Sequence, residues 1–157
     1  MSEFQNNNES VDDRMTFTRE YLDGLKQCLN SLFLEQVAEV IGYLEDAQRT
    51  GSQIFVMGNG GSAATASHMA CDLGKNIFPK GVEDSPRQFR VMSLTDNVPW
   101  MTALANDLGY EHIFSEQLKN LVQEGDLVIA ITGSGNSGNI VEGVKAAKAM
   151  GAKDGLR

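Results

Sequence analysis

The sequence predicts an α/β fold built on a parallel sheet. Three observations carry that prediction. Short β-branched runs alternate with longer stretches of helical apolar spacing, the pattern of repeated βαβ units. Two of the runs lead straight into Gly- and Ser-rich loops. Each of those loops opens a further helical stretch, as expected where ligands bind at the carboxyl ends of parallel strands.

Residues 1–14 are Asn-rich, acidic and aperiodic, and are expected to form a disordered tail. From Met15 to about Arg49 the apolar residues recur at helical spacing, and Asn30-Ser31 marks a break between two helices. Their apolar stripe fits either packing on the chain's own domain or a helical seam between subunits. Thr50-Gly51-Ser52 reads as a turn, and Gln53–Met57 as a buried strand. Gly58-Asn59-Gly60-Gly61-Ser62 follows, then an Ala-rich helix to about Leu73. Residues 79–88 read as a loop, and Phe89–Leu94 as a second strand. Thr95 or Asp96 is the expected cap of the next helix, with Pro99 in its first turn. Asn106–Gly109 is expected to break that helix, and Ile113, Phe114, Leu118, Leu121 and Val122 line one face of another. Glu124-Gly125-Asp126 turns the chain into a third strand, Leu127–Ile131. That strand enters Thr132–Ser137, and a last helix runs to about Met150, with Gly151 as its C-terminal cap. Only six residues remain where a further strand should come, so the domain, residues 15–157, is expected to be incomplete, without its C-terminal strands and helix.

The 157 residues suit one domain, and 41% hydrophobic against 22% charged residues allow a core. The net charge of -8 argues against nucleic acid as a partner. No apolar run approaches the ~20 residues of a membrane span, and the polar start lacks the order of a signal peptide. Cys28 and Cys71 make no disulfide framework. A cytoplasmic, reduced protein is the expectation.

Glycines in the first loop let backbone N–H groups approach an anion closely, and Ser62 adds a hydroxyl at a helix start. A plain turn would also use such residues. The second loop repeats the arrangement with Thr132, Ser134 and Ser137. Two hydroxyl-rich loops without a lysine favour a phosphorylated, hydroxylated ligand over a nucleotide. No P-loop is present, and Gly58-x-Gly60-x-x-Ala63 lacks the acidic partner a dinucleotide site wants, so no nucleotide cofactor is expected. In the helix between, Ala66, Met69, Ala70 and Leu73 share the face that packs on the sheet. His68 and Asp72 lie opposite, four residues apart, able to touch one ligand or one metal ion. A solvated surface pair reads equally from that spacing, and two ligands alone make no zinc site.

GNGGSAATASHMACDL, SLTDNVPWMTALANDLGYEHIF and GDLVIAITGSGNSGNIVEGVKAAKAMGAK together resemble the SIS (sugar isomerase) family, on its phosphoheptose isomerase branch. The resemblance runs from about Met15 to Lys153. It implies a three-layer αβα domain and a homotetramer with active sites shared between subunits. It implies isomerisation of sedoheptulose 7-phosphate to a manno-heptose 7-phosphate. Thr132, Ser62, Ser134 and Ser137 would surround the phosphate. Asn59, Gly60 and Gly61 would lie beside the sugar, with Asp96 and Asn97 near it. Asp72 falls where family members place a catalytic Glu, and His68 beside it where some hold zinc. The family also includes catalytically silent sugar-phosphate-binding regulators that bind a protein partner. The shorter Asp72 side chain keeps that alternative open.

Overall fold

The structure is a computed structural model and describes residues 10–75 and 88–153. Helix α1 (Val11–Asn30) starts before the expected end of the tail, because Ser10 and Asp13 close a capping box. The Asp13 backbone N–H donates to Ser10 Oγ at 3.1 Å, and the Ser10 N–H donates to the Asp13 carboxylate at 3.0 Å. Two of the first turn's orphan donors are thereby satisfied, and local chemistry overrides the polar composition of residues 10–14. Helix α2 spans Leu34–Thr50, so the break falls where Asn30-Ser31 placed it.

The chain forms two compact units that divide within α2, between Ala38 and Glu39. In the first, α1 buries none of its residues, and Phe17, Tyr21, Leu25, Leu29 and Phe33 are exposed.

The second unit holds the sheet. Strand β1 (Gln53–Gly58) lies at its centre, between β2 (Arg90–Ser93) and β3 (Leu127–Ile131), and all three are parallel. Helix α3 (Gly61–Lys75) connects β1 to β2; α4 (Val98–Leu108), a 3₁₀ turn (Tyr110–His112) and α5 (Ser115–Leu121) connect β2 to β3; α6 (Gly138–Ala149) follows β3. Side chains alternate across the sheet, as strand geometry requires. Ile54 and Val56 pack with Ala47, Ala66 and Leu127 on one face. Phe55 and Met57 pack with Leu94, Phe114, Leu118 and Ile140 on the other. Helices thus cover both faces, the three-layer αβα arrangement. Truncating the fully buried Phe114 to Ala would cost about 3–5 kcal/mol.

Buried polar groups tie the layers. Gln117, 1% exposed, donates to the carbonyls of Leu94 and Ile113 at 3.2 and 2.7 Å. The buried Asp126 carboxylate accepts from the backbone N–H of Gln53 at 2.8 Å and of Gln123 at 2.9 Å. It therefore ties the start of the central strand β1 to the turn that leads into β3.

Two local expectations are corrected. Asn97, not Thr95 or Asp96, caps α4: its Oδ1 accepts from the Trp100 N–H at 3.2 Å. Asn106 and Asp107 continue α4 rather than breaking it, and the turn comes at Gly109, whose φ of 102° no side chain favours. After α6 a single parallel bridge joins Lys153 to Leu127, outside the three strands. There an apolar cavity of about 140 Å³ opens along the β3 edge, lined by Val128, Ala130, Val144 and Ala147 among others. It contains none of the predicted site residues. The expected tail before Ser10, most of the 79–88 loop and residues 154–157 lie outside the described residues.

Candidate functional site

The strand order decides where a ligand fits. From the central β1 the chain leaves through α3 on one face of the sheet, and from its neighbour β3 through α6 on the other. Adjacent strands whose following helices diverge leave a crevice at their carboxyl ends. Both Gly/Ser loops border that crevice.

The first loop is wound tightly. A Cβ on Gly58 would stand 2.6 Å from the backbone carbonyl of Ser62, so only glycine fits against the first turn of α3. Gly60 has a φ of 55°, and the Ser62 N–H donates to the Asn59 carbonyl at 2.9 Å. Ser62 is half-buried, and Gly60 and Gly61 are exposed. In the second loop Thr132 Oγ1 accepts from the Gly135 N–H and Ser134 Oγ from the Asn136 N–H, both at 3.2 Å. Each hydroxyl spends a lone pair on shaping the loop and keeps its proton to donate to a ligand oxygen. Ser137 sits at the N-cap of α6 and makes no capping bond with its side chain. Exposed amides and hydroxyl protons, without a cation, are what an anion meets at such helix starts.

The two loops are joined by a pair the sequence reading missed. Asn59 and Asn139 exchange two side-chain hydrogen bonds, each 2.8 Å, and Tyr110 Oη donates to Asn59 Oδ1 at 3.1 Å. Asn139 carried a sequence signal that could have found it. It occupies the apolar stripe of α6, in line with Gly143 and Ala146, where a polar residue must have a buried partner.

Beside α3 lies a second polar cluster. The Ser67 hydroxyl donates to the Asp96 carboxylate, and Ser67, Thr95 and Ser93 continue the chain of hydroxyls, with Ser93 Oγ and Thr95 Oγ1 2.6 Å apart. Asp96 thus binds back to α3 instead of capping α4. Asn97 is exposed, with its side-chain oxygen engaged at the start of α4.

His68 and Asp72 do meet: Nε2 and Oδ2 are 3.2 Å apart, with side chains 78% and 51% exposed. Asp72 is not brought to the first loop of the same chain. Asp72 lies ten residues along α3 from Ser62, about 15 Å of axial rise. Among the described residues no three His, Cys, Asp or Glu side chains converge on a metal position. His68 and Asp72 are two donors, short of the three or four that zinc takes, so the described residues of one chain do not by themselves form a zinc centre.

Comparison with known proteins agrees with this architecture. A model of the SIS domain matches residues 17–153. The chain belongs to the SIS domain family. This SIS domain is 34% identical over 133 residues to a probable phosphoheptose isomerase of Thermoplasma acidophilum, a match spanning 85% of this chain and 70% of that protein. It is 38% identical over 128 residues to the phosphoheptose isomerase of Aquifex aeolicus, spanning 82% and 64% respectively. The solved phosphoheptose isomerase of Neisseria gonorrhoeae superposes with a TM-score of 0.78 at 28% identity, covering 91% of this chain and 72% of that one. These relatives place the SIS domain on the phosphoheptose isomerase branch, and it spans about two thirds of their length.

Proposed function

We propose that this SIS domain binds a sugar phosphate in the crevice between β1 and β3 and isomerises D-sedoheptulose 7-phosphate to D-glycero-D-manno-heptose 7-phosphate. The observation that carries the reading is the meeting of two cation-free Gly/Ser loops at one crevice, tied together through Asn59 and Asn139. The relatives' name supplies the substrate class. Thr132, Ser62, Ser134 and Ser137 bind the phosphate; Asn59, Gly60 and Gly61 hold the sugar; Asp96 and Asn97 border it.

In the reaction a base takes a proton from C1 of the ketose, an enediol forms, and a proton returns to C2 while the hydroxyl proton on O1 passes to O2. We assign the base to Asp72, with His68 holding its carboxylate. The distance of Asp72 from Ser62 along its own α3 supports sites shared between subunits, one subunit's loops with another's Asp72. The exposed apolar stripe of α1 supports a homo-oligomer, and we propose the tetramer. A second acid–base group for the oxygen proton is, on this reading, supplied outside the described residues. His68 and Asp72 are the zinc ligands we propose, with the missing donors supplied outside the described residues; zinc would polarise the sugar's carbonyl oxygen, and no step here depends on it. No nucleotide cofactor, nucleic acid or membrane enters the proposal, and we place the protein in the cytoplasm. No helix among the described residues is long and apolar enough to cross a membrane.

A second reading is a silent sugar-phosphate-binding module that regulates a protein partner. The solvent-open placement of the His68–Asp72 pair favours it. ³¹P NMR of the chain with sedoheptulose 7-phosphate, with and without zinc, tests both. A new heptose phosphate signal that disappears in Asp72→Asn, with ligand binding kept, establishes the isomerase. Substrate broadening without product, unchanged by Asp72→Asn, establishes the binding module. No change in the spectrum overturns both.

A further inference from the structure

Asn139 is 3% exposed and lies one residue inside α6, so it cannot itself reach a ligand in the crevice. Its surroundings leave it one orientation. The Ile140 N–H, an orphan donor of the helix's first turn, donates to Asn139 Oδ1 at 3.0 Å. A flipped amide would set its NH₂ against that N–H. The Asn139 NH₂ must therefore face Asn59, and at 2.8 Å it meets the Asn59 oxygen. The Asn59 NH₂ returns one proton to Asn139 Oδ1, also at 2.8 Å. Tyr110 Oη takes the second lone pair of the Asn59 oxygen at 3.1 Å. An amide offers two acceptor sites and two protons. Both acceptor sites and one proton of Asn59 are spent, and one N–H proton remains.

We propose that Asn139 is a positioning residue that, with Tyr110, locks the Asn59 amide so that it offers the bound ligand a hydrogen-bond donor and never an acceptor. The ligand atom opposite Asn59 is then an oxygen acting as acceptor, in the sugar phosphate of the reading above, on which this inference rests. A backbone N–H of α6 thereby sets the polarity of a side chain in the β1 loop. It also holds the two phosphate loops at a fixed spacing.

The test is side-chain amide NMR of the ¹⁵N-labelled chain, with hydrogen exchange of the Asn59 NH₂ followed before and during titration with sedoheptulose 7-phosphate. In the unsubstituted chain one Asn59 proton should exchange slowly, and the other should shift on ligand addition. Asn139→Ala removes both the acceptor of the Asn59 NH₂ and the donor to the Asn59 oxygen. It should abolish the slow exchange and weaken binding about ten- to a hundredfold, the worth of a hydrogen bond to a charged ligand. Tyr110→Phe, at an exposed side chain, should fold normally and weaken binding severalfold. Unchanged exchange and affinity in both variants would overturn the proposal, as would lost protection with unchanged affinity. If the unsubstituted chain shows no ligand shift, the sugar-phosphate reading fails instead. The exchange comparison then decides the lock alone: lost protection in Asn139→Ala supports it, and unchanged protection overturns it.

Discussion

Gly58→Ala should disable ligand binding through a single methyl group. The glycine ends β1, and the first turn of α3 folds back over it. An added Cβ would stand 2.6 Å from Ser62 C and O and 2.9 Å from Ser62 Cβ. Ordinary contact begins at 3.4 Å, so the shortfall is about 0.8 Å, and it is against backbone that cannot swing aside. The strand is 0–2% exposed at Ile54, Phe55, Val56 and Met57, so the helix start must move instead. Overpacking of this kind costs about 1–3 kcal/mol. The displaced Ser62 hydroxyl and loop amides are the groups proposed to meet the phosphate, and misplacement by about 1 Å can cost ~10²-fold in rate. Urea denaturation should show the lower midpoint, and calorimetric titration with sedoheptulose 7-phosphate the lost affinity. A Gly58→Ala chain with unchanged midpoint and unchanged affinity would refute both the close approach and the role of this loop.

Three further outcomes are expected. Asp126→Ala should destabilise the sheet, because the Gln53 and Gln123 N–H groups lose their acceptor at about 1–3 kcal/mol per orphaned donor; Asp126→Asn should rescue little, since its NH₂ would face one of them, and urea midpoints give the comparison. Gly42→Ala, inside α2 with nothing within 4 Å of the new Cβ, should stabilise by about 0.5–1 kcal/mol by thermal melting, and a loss would contradict that open space. The hydrogen bond from Arg49 and the charge of Lys153 hold the Asp46 carboxyl below its ordinary 3.8. A depressed folded pKa contributes stability that is present above that ordinary value and lost as pH falls through the folded one. Acid titration of stability should therefore show a loss below about pH 4 that is smaller in Asp46→Asn.

The sequence disclosed the βαβ alternation and both phosphate loops because these follow from local rules. Strand length, β-branching and helical spacing are periodic signals, and glycines announce tight turns. It misplaced the start of α1 and the cap of α4, where one side-chain hydrogen bond outweighs composition. Ser10 with Asp13 begins the first, and Asn97 begins the second. It also could not show that Asp96 turns back to Ser67, 29 residues earlier, or that Asn59 pairs with Asn139, 80 residues later.

By itself the sequence determined the fold class, the two loops and the His68–Asp72 pair, all carried by neighbours within a few residues. Only the tertiary structure decided which of them share a crevice. The order of the strands brings the β1 and β3 loops together. The rise of α3 carries Asp72 away from the β1 loop, since a rigid helix fixes distance in a way that residue spacing in the sequence does not reveal.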